Sequence, residues 1–225
     1  MTDTAGRQGD ARPGEDEGGA VEALHQADVA LSAEAGRLRE HPVVEALGTA
    51  SEISDQPPAF ALAGLALAGG LASGHPALAE AGARALAALY LATRTKAAIK
   101  SVVVRTRPYK LLEEGEYELG VNGPDERDYN SFPSGHTADA FAAARAIGRV
   151  APGANGPLLG LAALIGLVQV PRATHHLTDV LAGALVGLGA EAVVNAAFSA
   201  LPPDLVESAR SRIAAPRGPQ ARRDG

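Results

Sequence analysis

Cysteine is absent from all 225 residues, which excludes disulfides, thiolate metal sites and cysteine nucleophiles and leaves the redox compartment open. Tryptophan is absent as well, and aromatic residues make up only 4% although hydrophobic residues reach 46%. The apolar content is therefore mostly Ala, Leu and Val, with Gly beside them. Mean hydropathy is +0.02, between a soluble all-helical protein and a lightly built membrane protein. Lysine occurs only at Lys96, Lys100 and Lys110, so nearly all bases are Arg, a pattern of GC-rich bacterial sources. The net charge of -6 lends no support to nucleic-acid binding. The N-terminus lacks the basic-then-apolar pattern of a secretory signal, and strand-type alternation is lacking throughout.

The charge that is present is unevenly spread. Residues 1–56 hold twelve acids and four bases, a local balance of -8, while the tail from Pro203 holds five Arg against three acids. The Gly-rich, polar stretch 1–19 cannot bury enough surface to order itself and is read as a disordered tail. Residues 20–201 are read as one helical domain and 202–225 as a basic C-terminal tail. From Ala20 to Leu47 apolar residues recur at helical spacing with acids between them, giving an amphipathic helix or helix pair too polar to span a bilayer. Five interior runs are richer in apolar residues: 58–74, 82–93, 137–150, 156–170 and 180–201. Gly and Pro punctuate them, so the fold class is all-α, a helical bundle of five to six helices.

A bilayer span needs roughly 20 mostly apolar residues, and several of these runs are shorter or carry Arg84, Asp139, Arg145 or Glu191. The runs 58–74, 156–170 and 180–201 are nonetheless poor in polar residues on every face, and their small residues suit close helix packing in a membrane. The expectation is a membrane-embedded bundle, with a soluble Ala-rich bundle as the alternative.

Three short segments carry chemistry. In KSVVVRTRP (100–108), Lys100 and Arg107 are seven apart, two helical turns, and share a face if the helix continues that far; a basic collar beside a membrane is the ordinary alternative. In PSGHTADA (133–140), Ser134 and Gly135 offer backbone N–H groups at a helix start whose positive end favours an anion, with His136 beside it. A plain Ser134 N-cap would look the same. In PRATHHLTDVLAGAL (171–185), His175 and Asp179 are four apart. Asp179 can orient His175 as a nucleophile or simply cap the helix, and Arg172 can clamp an oxyanion.

In this order, each at a helix boundary, Lys-x6-Arg-Pro, Pro-Ser-Gly-His and Arg…His-x3-Asp resemble the signature of the type 2 phosphatidic acid phosphatase superfamily, which includes lipid phosphate phosphatases and soluble bacterial acid phosphatases. The resemblance runs from about Pro58 to Leu201. It implies that Lys100, Arg107 and Arg172 neutralise phosphate oxygens together with Ser134 and the Gly135 N–H. It further implies that His175 forms a phosphohistidine with Asp179 holding its tautomer, and that His136 protonates the leaving oxygen and then activates water. No metal or cofactor is implied.

This chain departs from the family pattern in the third segment. Pro171 stands where a serine is usual, and only Ala173 and Thr174 separate Arg172 from His175, a loop three residues shorter. Whether Arg172 reaches the phosphate is the question this raises; His176 is the rival nucleophile. Two runs lie between the second and third segments, so both emerge on one side, and the Arg-rich tail marks the opposite side as cytoplasmic. That implies a multi-pass protein of the bacterial cell membrane with its catalytic face outward and the segment 20–47 lying along the interface. The stretch 109–132 is read as a solvated loop. The function expected is removal of a terminal phosphate from a lipid phosphate or diphosphate, of phosphatidate, phosphatidylglycerol phosphate or polyprenyl type. The alternatives are a soluble acid phosphatase or vanadate-dependent haloperoxidase-like enzyme, and a non-catalytic membrane scaffold with a decayed site.

Overall fold

The computed structural model describes residues 13–123 and 126–215. Nine helices account for most of them: α1 Pro13–Gly36, α2 Pro42–Ser51, α3 Gln56–Ser73, α4 Pro76–Lys100, α5 Pro108–Glu114, α6 Gly135–Val150, α7 Asn155–Val168, α8 Leu177–Ser199 and α9 Pro203–Ala214. Proline at the first or second helical position, where no backbone N–H is needed, starts α2, α3, α4, α5 and α9. Gly74, in the left-handed conformation, closes α3.

The five apolar runs are α3, α4, α6, α7 and α8, and the all-α bundle is as expected. Helix α4 is its centre, packed on α3, α6 and α8, with α7 outside α6. The core they share is built from alanines: Ala63, Ala88, Ala92, Ala142, Ala146 and Ala190 surround Leu89. Cβ-less positions allow the closest approaches, and a Cβ on Gly187 of α8 would stand 2.3 Å from the Ala138 carbonyl oxygen of α6. Such packing favours small side chains over large aromatics, of which the sequence has few.

Four details differ from the expectations. The segment 20–47 is the helix pair α1 and α2, but α1 begins at Pro13, inside the stretch read as a tail; residues 1–12 of that tail lie outside the described residues. The expected basic tail contains α9, which returns to the start of α4 through Arg210 and Glu80, 2.6 Å apart. A small antiparallel sheet pairs β1 Val103–Arg105 with β2 Leu119–Val121; strands of three residues are too short to show alternation. The loop 109–132 is thus partly structured, holding α5, β2 and a 3-10 turn at Arg127–Tyr129. Helices α1 and α2 cover the end of the bundle where α4 finishes and α6 and α8 begin, while α9 lies at the other end.

Candidate active site

Helix α4 stops at Lys100, so Lys100 and Arg107 are not on one continued helix face. The chain turns at Ser101, enters β1 and reverses, and Arg107 becomes the residue before α5. This reversal brings both cations to the Asn130 carbonyl oxygen, Lys100 Nζ at 2.5 Å and Arg107 Nη2 at 3.4 Å. Arg107 is held further by its Nε donating to the Arg127 carbonyl (2.8 Å) and Nη1 to that of Thr174 (3.2 Å).

These side chains open onto a cavity of about 530 Å³ at the end of the bundle. Six expected site residues line it: Lys100, Arg107, Gly135, His136, Arg172 and His175. Ser134 and Asp179 stand behind it, both fully buried. The Ser134 hydroxyl accepts from Thr137 Oγ1 at 2.8 Å and caps no backbone N–H, so its side chain is turned from the cavity. Helix α6 begins at Gly135 on the cavity wall, and its first amides have no intrahelical partner.

His175 is almost wholly buried, and burial pushes its imidazole down to about 3, with the Arg107 and Lys100 cations adding to the effect and Asp179 opposing it. The ring is therefore neutral near pH 7. Its Nδ1 donates to the Ser131 carbonyl oxygen at 2.7 Å, which leaves Nε2 as the nitrogen with a lone pair. Asp179 does not make the direct bond expected of it: Oδ2 is 3.8 Å from Nδ1. That oxygen is occupied by Ser131 Oγ (2.5 Å) and the His176 N–H (2.8 Å), and Oδ1 accepts from Arg105 Nη1 at 2.6 Å. Asp179 thus acts on His175 by its charge and through Ser131. The rival His176 is engaged elsewhere, its Nε2 on the Thr106 carbonyl at 3.1 Å.

Arg172 does reach the cavity despite its short loop. Its Nη2 lies 2.8 Å from Glu52 Oε1, and Nη1 donates to Ser51 Oγ (3.3 Å) and Gln169 Oε1 (3.2 Å). Room for it exists because α2 has glycine at 48, where a Cβ would sit 2.5 Å from Arg172 Nε. The other oxygen of Glu52 accepts from His136 Nε2 at 3.2 Å. Burial works against the Glu52 charge, but the hydrogen bonds from His136 and Arg172 outweigh it and hold the carboxyl below its ordinary range. Lys100 shifts the other way: burial, then the neighbouring Arg107, bring it down to about 7. Arg107 is lowered by burial too, yet an arginine stays charged at neutral pH.

Sequence reasoning missed several members of this site. Glu52, Asp55, Lys96, Arg127 and Thr174 also line the cavity. Lys96 carried a legible signal, one helical turn before Lys100 on α4; Glu52 carried none, because only the fold brings it 120 positions back to Arg172. Behind the site, Arg105 joins Asp179 to Asp28 of α1 (2.7 Å) and to Thr178 (2.7 Å). Burial opposes its charge, but Asp179 and Asp28 overcome this and raise its pKa.

Residues 81–201, more than half of the chain, match the family model described as the PAP2 superfamily. The chain belongs to the PAP2 superfamily. All three motif segments fall within the match. The chain is also similar to the lipid A 1-phosphatase of Porphyromonas gingivalis, at 35% identity over 83 residues, covering 35% of this chain and 18% of that protein. The similarity thus spans less than a fifth of the relative. In this PAP2 chain the residues that build the Arg172 clamp, Gly48, Ser51 and Glu52, precede the matched region.

Proposed function

We propose that this PAP2 protein is a metal-independent phosphatase that hydrolyses a lipid phosphate or diphosphate through a phosphohistidine. The observation that carries the reading is His175: a neutral imidazole with Nδ1 held by the Ser131 carbonyl, lining a cavity ringed by Lys100, Arg107 and Arg172. Nε2 attacks phosphorus, the P–O bond to the alcohol breaks, and the leaving oxygen takes the proton that His136 carries on Nε2. His136 then draws a proton from water as that water displaces His175, releasing phosphate. The three cations and the α6 amides stabilise charge on the equatorial oxygens. The similarity to a protein named for a lipid phosphatase supports a lipid substrate.

Placement in a bacterial membrane with several spans is part of the proposal. One helix among the described residues, α8, is long and apolar enough by itself to cross a bilayer. Support for wider embedding comes from large side chains turned outward around the bundle, including Leu65 of α3 (68% exposed), Leu164 of α7 (66%) and Leu185 of α8 (72%). Water is a poor solvent for such a belt. Helices α1 and α2 then lie at the outer, catalytic face and the Arg-bearing α9 at the cytoplasmic one.

The test is phosphate release by detergent-solubilised protein from a panel of lipid phosphates and an aryl phosphate. EDTA belongs in one arm, because ligand atoms of Glu52, Asp55 and His136 lie within 4.8 Å of one another. Release that survives EDTA and vanishes in His175→Ala is expected; release unaffected by His175→Ala would reject the mechanism. Recovery of the protein in the soluble fraction would reject the membrane placement.

A further inference from the structure

A second cavity, of about 280 Å³, lies on the far side of the 3-10 turn Glu52–Ser54. Its wall is made by α3, α4, α6 and α7, with Ala63, Ala66, Ala143, Leu161 and Ile165 among the lining side chains. The turn is the partition between the two spaces: Ile53 and Ser54 face the apolar one, Glu52 and Asp55 the one that holds His175. A buried ion pair spans the same boundary. Lys96 lines the polar cavity, and Asp139, whose Oδ2 accepts from the Lys96 ammonium, lines the apolar one.

Asp139 is fully buried, and its Oδ1 has no partner. A carboxylate oxygen stripped of water without a donor is left uncompensated, so in a wall whose other polar side chain is Ser54 it marks a place for a ligand's donor. Asp139 is four residues into α6 from Gly135, about 6 Å along the helix. A molecule with its phosphate at the start of α6 would meet Oδ1 a few bonds deeper. Beyond that point only apolar contacts remain, each buried methylene being worth roughly a factor of four in affinity.

We propose, resting on the phosphatase reading above, that this groove holds the apolar chain of the lipid phosphate and that Asp139 Oδ1 accepts a hydrogen bond from a hydroxyl or amide N–H that the lipid carries close to its phosphate. The substrate class is then an amphiphile with three parts: phosphate on the cations, donor on Asp139, chain between α3, α6 and α7. Lys96, paired with Asp139, lines the phosphate side.

Two readouts test this. The first is retention of radiolabelled oleoyl lysophosphatidate, which bears a hydroxyl beside its phosphate-bearing carbon, and of its 2-deoxy analogue, by His175→Ala protein in detergent. The second is the rate of phosphate release from both lipids and from p-nitrophenyl phosphate by active protein. Ala143→Phe, which fills the groove, should lower lysophosphatidate retention at least tenfold and lower its kcat/KM at least tenfold relative to that of the aryl phosphate. The hydroxyl lipid should be retained at least fivefold better than the deoxy lipid. Asp139→Asn should erase that preference: the amide oxygen stays on Lys96, leaving an NH₂ that cannot accept. The preference is a ratio within one protein, so partial misfolding cancels. Retention unchanged by Ala143→Phe, or no preference for the hydroxyl, overturns the groove. Retention that follows these expectations while no substrate releases phosphate overturns the phosphatase reading and leaves the groove standing.

Discussion

His175 Nδ1 donates to the Ser131 carbonyl at 2.7 Å while the same serine's hydroxyl donates to Asp179 at 2.5 Å. One residue therefore joins the proposed nucleophile to its acidic partner, by its backbone on one side and its side chain on the other. Because the carbonyl fixes the tautomer, the role of Asp179 is one of charge and of holding Ser131.

The first prediction concerns the intermediate. Wild-type protein quenched during turnover of a ³²P-labelled substrate should carry acid-labile, base-stable label, as an N-linked phosphate does. His175→Ala should lose the label and at least about 10³-fold in kcat, since the nucleophile has no substitute. Ser131→Ala keeps the backbone carbonyl and should cost much less, about tenfold. An equal loss in both variants would mean that the hydroxyl link to Asp179 carries more of the effect than the geometry suggests.

A second prediction concerns pH. Lys100 binds an anion only when protonated, and burial with the neighbouring Arg107 brings it down to about 7. Sulfate, whose charge is constant from pH 5 to 10, should raise the melting temperature below pH 7 and lose this effect as pH rises through about 7. Lys100→Met should abolish the inflection. The linkage sign is that of a lowered cation: the unfolded chain holds the proton up to about 10.4 and the folded one releases it near 7. Without ligand, stability therefore rises with pH between these values, and Lys100→Met should flatten that slope. His175, at about 3, contributes nothing to the acid limb of activity above about pH 4.

The buried Arg105 yields a third. It is 3% exposed and bonded to Asp28 and Asp179. Arg105→Met leaves two buried carboxylates unpaired and should destabilise by about 3–5 kcal/mol. Lys110→Met, whose partner Glu114 is half exposed, should cost far less, because solvent screens that pair. Chemical denaturation of the two variants side by side checks the contrast.

Much of this site was legible because three segments carry chemically distinctive residues at helix boundaries. Pro133 and Gly135 fix where α6 starts, and that start puts His136 on the cavity wall. What stayed hidden is tertiary. Nothing local ties Glu52 or Gly48 to Arg172, and the spacing of Lys100 and Arg107 suggested a continued helix where Ser101 and β1 make a reversal. The step from His175 to Asp179 has helical spacing, but α8 starts only at Leu177, so the two side chains do not stack on one helix and Ser131 fills the space. The PDLVESARSRIA segment does carry a helical pattern, with Leu205, Val206, Ala209 and Ile213 on one side and Val206 and Ile213 half-buried, but its Arg content led it to be read as a basic tail.

The last prediction tests how the short third loop is compensated. Arg172 is held by Glu52, Ser51 and Gln169 and lies over Gly48, so its position depends on α2 and the turn after it as well as on its own loop. Arg172→Ala should lower kcat/KM about 10²-fold, the scale of losing one charged donor to a transferring phosphoryl group. Gly48→Val inserts a branched side chain where the guanidinium lies and should approach that loss with Arg172 still present. Glu52→Gln removes the charge while keeping the shape, and should cost about tenfold; Glu52→Asp, which keeps the charge at shorter reach, should recover part of it. In the double variant Arg172→Ala/Gly48→Val the losses should not add, because both remove one interaction. Additive losses would mean that α2 supports the site by some route other than Arg172.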